Sequence, residues 1–191
     1  MIEQLIWLLN ITRSQVIARR YFVVNGFDGA LTMLGLLVGF YISEDVRLPV
    51  VINACLGVAI ALGMSGVSSA YISEAAEKQR ELRELEKAMV TDLGKSAHAR
   101  AARLLPLFIA FVNGMAPLAI SLVILLPLWL TPSIEPFTKI PLEAAFVMAL
   151  IMIFLLGVYL GQVSHTFWLW AGLRTLLIAG ATTALIFALS P

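Results

Sequence analysis

Residues 104–130 read LLPLFIAFVNGMAPLAISLVILLPLWL, an apolar run without a charged side chain. About 20 mainly apolar residues suffice for a helix to cross the hydrocarbon core of a bilayer, so this stretch predicts a transmembrane helix. Four more stretches meet the same test: about Tyr21–Ser43, interrupted by Asp28; about Leu48–Ser73; about Ile140–Val163, with Glu143 near its start; and about Thr166–Leu189, with Arg174 in its first half. The composition agrees. Of 191 residues, 60% are hydrophobic and 13% charged, whereas a soluble domain is about 45–50% apolar and about 25% charged. A soluble core of this chain length cannot absorb so much apolar surface, and a bilayer can. The expectation is an all-α, polytopic membrane protein with five transmembrane helices.

The strongly polar part of the chain runs from Glu74 to Arg103. No proline occurs between positions 62 and 90, and Glu74, Glu77, Glu81 and Glu84 keep helical spacing. The second helix is therefore expected to continue unbroken to about Met89, extended into the cytosol. The chain divides into an amphipathic N-terminal helix (1–19), transmembrane helices 1 and 2 (20–73), a cytoplasmic charged helical segment (74–103) and transmembrane helices 3 to 5 (104–191). Ile2, Leu5, Ile6, Leu9 and Arg13 carry the amphipathic spacing of a helix lying on the membrane surface; a frayed leader is the alternative. Glu3, Gln4, Asn10, Arg13 and Gln15 interrupt this stretch, so it does not read as a cleavable signal.

Basic residues orient the chain. With the N-terminus inside, only Arg47 and Lys139 of the 13 Lys and Arg residues lie in outer loops. That asymmetry predicts a cytoplasmic N-terminus and an outer C-terminus, in a cell membrane or a vacuole-like one. The outer loops, around Glu44-Asp45 and Thr131–Pro136, are too short to form a receptor domain. The single cysteine, Cys55, excludes an internal disulfide, and His98 and His165 form no zinc-type cluster. A phosphate-binding glycine loop and a nucleophile–base pair are both lacking, so the chain does not read as an enzyme, and no nucleic-acid partner is expected.

Asp28 lies within the first span, in Asn25-Gly26-Phe27-Asp28-Gly29-Ala30-Leu31. A carboxylate inside a span is costly and marks a functional position by default, facing protein or water. Burial would raise its pKa and suit it to proton exchange; a structural, hydrogen-bonding aspartate is the alternative. The ladder of Glu74, Glu77, Glu81 and Glu84 stacks on one helical face and offers hard oxygen ligands to divalent cations. A solvated helix with pairs such as Glu74–Lys78 and Arg80–Glu84 is the plainer account. In span three, Pro117 cannot donate to the carbonyl of Asn113. That carbonyl, beside an amide side chain, would line an ion path or mark a simple kink. Met33, Met64 and Met115 are candidate soft ligands as well as ordinary packing residues. Gly35…Gly39 and Gly157…Gly161 are GxxxG motifs, and one of them would serve as a dimer seam.

Taken together these motifs resemble the vacuolar iron transporter family, which includes the nodulin-21-like proteins. The resemblance rests on Asn25–Leu31 with the glycine-rich run Leu36–Gly39, and on span two running through Ser65 and Tyr71 into the charged helix Glu74–Glu86. It is completed by Asn113-Gly114-Met115-Ala116-Pro117-Leu118 and by Gly157-Val158-Tyr159-Leu160-Gly161. It covers about residues 20–190 with five spans in register. It implies a homodimer that exports Fe2+ or Mn2+ from the cytosol by proton antiport. Asp28 would be the first-span aspartate, and Glu77 and Glu84 part of the inner metal-binding segment. Asn25, Met64, Asn113 and Met115 are the further candidates for the pathway. Metal is thus expected as cargo, with no resident cofactor. Aligned on Tyr71, Gly66 and Val58 stand where the family carries a methionine and a glutamate, and the inner segment is shorter. The rival to a transporter is a scaffold or regulatory subunit whose inner helix docks a partner.

Overall fold

The computed structural model describes residues 14–43, 46–130 and 141–190. Its five helices are α1 (Ser14–Ile42), α2 (Leu48–Met89), α3 (Ala97–Leu130), α4 (Pro141–Val163) and α5 (Trp168–Leu189). All five are long and apolar enough to cross a membrane. Residues 14–19, expected in a separate surface helix, run continuously into α1. Most of that expected helix, residues 1–13, lies outside the described residues, as do Glu44-Asp45 and the turn at Thr131–Pro136.

Helix α2 begins with a proline at its first turn, where the missing N–H has no intrahelical partner anyway. It then runs 42 residues without interruption. At 1.5 Å per residue it is about 63 Å long, roughly twice the ~30 Å hydrocarbon core. A helix of that length exceeds what a bilayer core can hold, and its part from Glu74 onward is charged. It ends where Val90 adopts a left-handed conformation, its N–H bonded to the carbonyl of Glu86. Thr91 N–H donates to the same carbonyl at 3.3 Å. The turn is then held by side chains. The N–H of Leu93 donates to Glu86 Oε1 at 3.1 Å, and that of Gly94 to Asp92 Oδ1 at 2.8 Å. Ser96 caps α3 by accepting the N–H of Ala99 at 3.2 Å.

Helix α3 is the centre of the bundle and packs against α1, α2 and α4. Of its most apolar stretch 56% is buried, against 17% for α5, which lies at the edge. Pro106, Pro117 and Pro127 all lie inside α3 without ending it, as transmembrane helices allow when neighbours satisfy the freed groups. Leu34 and Leu37 of α1, Cys55 of α2, Ile124 and Leu128 of α3 and Ile153 of α4 belong to one continuous apolar core.

Small residues set the closest approaches. Gly29 of α1 lies against Pro117, where an added Cβ would be 2.8 Å from both the Cα and the carbonyl oxygen. Gly114 of α3 backs onto Gly63 and Val67 of α2. The Gly157…Gly161 motif is occupied within the chain: both glycines are buried against α5, at Thr175 and Ala171 respectively. Thr175 Oγ1 closes that contact by reaching the carbonyls of Gly172 at 2.7 Å and Ile153 at 3.1 Å. As a dimer seam this motif is therefore corrected to an α4–α5 packing surface. Gly35 meets only Ile186, with Cδ1 3.6 Å from an added Cβ, and Gly39 has nothing within 4 Å.

Candidate functional site

Two polar regions stand out in the apolar bundle. One joins helices and the other faces outward. The first is built on Asn113, which is 3% exposed at the centre of α3. Its Nδ2 donates to the carbonyl of Gly66 on α2 at 2.7 Å. Its Oδ1 accepts from Nδ2 of Asn25 on α1, which also reaches the carbonyl of Tyr21 at 3.1 Å. One helical turn earlier, the Tyr21 hydroxyl donates to Glu74 Oε1 at 3.0 Å. Asn113, Asn25, Tyr21 and Glu74 thus form a polar seam that ties α1, α2 and α3 together. The Asn113 carbonyl, without an N–H partner from Pro117, lies 3.1 Å from where a Cβ on Gly66 would sit. A side chain at position 66 would press on the α3 backbone, with the Gly114 Cα 3.0 Å from its Cβ. Val58, the other departure from the resembling family, is partly buried against the apolar core.

The second region is a groove of about 480 Å³ between α1 and α4, lined by Arg19, Arg20, Val24, Phe27, Asp28 and Leu160 among others. Asp28 is exposed there. Of the two settings expected for Asp28, protein or water, the single chain leaves it on the open side of the groove. The buried stripe of α1 runs through Val23, Gly26, Ala30, Met33 and Leu37, and Asp28 falls off it. An ionisable group at this depth needs water or protein to cover it. Arg19 and Arg20 lie two to three turns nearer the N-terminal end of the same groove.

The remaining candidates do not converge on Asp28. Met64 is 62% exposed and Met115 40% exposed, and neither lines the Asp28 groove. Met33 is fully buried in the core. The glutamate ladder is split by its partners. Glu74 accepts from Tyr21. Glu81 pairs with Lys78 at 2.7 Å, and Glu84 pairs with Arg80 at 2.9 Å. Glu77 is exposed. Among the described residues no three His, Cys, Asp or Glu side chains gather as a ready-made metal site. Chemically, the groove offers one carboxylate to a cation or proton, while the seam offers amide groups already bonded to one another.

Tyr21 and the Gly66 carbonyl are the members of the seam that motif reading passed over. A signal for Tyr21 existed, since it precedes Asn25 by four residues and shares its face. The carbonyl of Gly66 left none, because backbone acceptors carry no sequence signature.

No family model matches the chain. An uncharacterized protein of Methanocaldococcus jannaschii is 29% identical over 170 residues, covering 87% of this chain and 84% of that protein.

Proposed function

We propose that this chain is the subunit of a membrane transporter that exports a divalent transition-metal cation, Fe2+ or Mn2+, by proton antiport. The observation that carries this reading is Asp28, an exposed carboxylate in an apolar spanning helix, at a groove of about 480 Å³. Such a group is expensive in lipid and persists where it has work to do. A carboxylate can hold a cation in its ionised form and a proton in its neutral form, so one residue can exchange the two. The exposed face around Asp28 would be covered by a second copy of the chain, making the transporter a homodimer. The order of motifs shared with the vacuolar iron transporters supports the same assignment. Uptake of Fe2+ and Mn2+ into proteoliposomes, with and without a pH gradient, tests it. Gradient-dependent uptake is expected, and a protein that moves no divalent metal contradicts it.

A second reading has its own support. Two acids of the α2 segment are paired with bases, Glu81 with Lys78 and Glu84 with Arg80. Those pairs leave a less open cation ladder, and on this reading the charged helix docks a partner and the chain is a regulatory subunit. Absence of metal flux together with retention of a cytosolic protein on the α2–α3 hairpin is the outcome that favours it.

A further inference from the structure

At the bundle end opposite the α2–α3 hairpin, the C-terminal part of α1, the first two turns of α4 and the C-terminal part of α5 flank an open groove of about 290 Å³, in which Tyr41, Glu143 and Phe187 are exposed. Three aromatic rings line it, those of Tyr41, Phe146 and Phe187, together with the carboxylate of Glu143 and the hydroxyl-bearing Thr183. Among the described residues Glu143 has no ion-pair partner. This groove is separate from the Asp28 groove and shares no lining residue with it.

The lining decides the ligand class. A divalent metal takes about six oxygen ligands, and this groove is mostly apolar with one carboxylate. A large, weakly hydrated cation asks for the opposite set: aromatic faces, whose quadrupole attracts positive charge, and one acid to fix it. The volume is close to the ~300 Å³ at which small-molecule sites begin. We propose that this groove binds an organic ammonium group, with Glu143 as its counter-charge and Tyr41, Phe146 and Phe187 as its aromatic wall. Its position within about two turns of three helix ends would set the ammonium toward the headgroups of a bilayer. The group is therefore supplied either by a free small amine or by an ammonium-bearing lipid headgroup. The inference stands apart from the metal-transport reading and does not use Asp28.

The test uses the full chain, with choline as the probe. Titration calorimetry in maltoside detergent should give saturable choline binding. Glu143→Gln should weaken it by about 10-fold or more, and Tyr41→Leu and Phe187→Leu by about 3- to 30-fold each. Asp28→Asn should leave it unchanged. In parallel, the melting temperature is compared in nanodiscs of phosphatidylcholine and of phosphatidylglycerol. Choline binding in detergent identifies a ligand reached from water. Stabilisation by phosphatidylcholine alone, lost in Glu143→Gln, identifies a lipid headgroup. A wild-type protein that neither binds choline nor distinguishes the two lipids overturns the proposal. So does a Glu143→Gln variant that behaves as wild type in both arms.

Discussion

The side-chain amide of Asn25 on α1 donates to the side-chain oxygen of Asn113 on α3, and Asn113 passes its own amide on to the Gly66 carbonyl of α2. One buried residue thereby fixes three helices in register. Hydrogen bonds between helices within a membrane average about 0.6 kcal/mol and reach about 1.7, and an orphaned partner adds to the loss. Asn113→Leu removes two such bonds, leaving the Gly66 carbonyl without its donor and the Asn25 amide with the Tyr21 carbonyl alone. Thermal melting in detergent should fall by roughly 2–8 °C for a chain of this size. An unchanged melting temperature would mean that the seam is incidental.

Glycine substitutions should change sign with position. At Gly114 an added Cβ would meet Val67 Cγ2 and the Gly63 carbonyl at closer than van der Waals range. Gly114→Ala therefore forces α2 and α3 apart and lowers the melting temperature. Gly39 sits in α1 with nothing within 4 Å. Gly39→Ala gains helix propensity, up to about 1 kcal/mol on soluble scales, and should be neutral or stabilising. Equal effects at the two positions would contradict the packing described.

Gly157→Ala should destabilise the folded chain, because its Cβ runs into Thr175 and comes within 3.0 Å of the Ala171 carbonyl. A Gly157→Ala, Thr175→Ser double variant removes the Thr175 methyl that stands 2.8 Å from that Cβ, and should recover part of the loss. The readout is thermal melting beside size-exclusion chromatography. Subunit dissociation without loss of melting temperature would return this motif to a dimer seam.

Glu84→Gln breaks only an exposed pair with Arg80. Exposed helix pairs contribute little, so melting should stay within about 2 °C of wild type. A change in apparent metal affinity in this variant would then report on cation attraction at the hairpin and not on folding. Unfolding of the variant would contradict the exposed placement of the pair.

Length, charge and proline placement made the five helices and the long α2 legible. The stretch from position 62 to 90 has no proline, and its glutamates keep helical spacing, so α2 had nowhere to stop before Val90. The seam was not legible. Asn25 and Asn113 are 88 residues apart, and a polar residue in one span can pair with any polar residue in another. The side of α1 on which Asp28 falls was not legible for a related reason. Both faces of α1 are apolar around it, with Val24 and Phe22 outward and Val23 and Met33 inward. Hydrophobic periodicity therefore gave no buried stripe to set it against. Of the two GxxxG pairs only Gly157…Gly161 marks a close approach within the chain, and its partner Thr175 carried no signal in the motif.

The central claim is that Asp28 exchanges a proton for a metal ion. Asp28→Asn keeps the size of the side chain and removes both its charge and its proton site. Because Asp28 is exposed, the variant should fold and melt as wild type. Metal flux and internal pH are then followed together in proteoliposomes loaded with a pH-sensitive dye. The account predicts that wild type moves protons against Fe2+ or Mn2+, and that folded Asp28→Asn loses metal-dependent proton movement. Coupling at the wild-type level in the folded variant would contradict it.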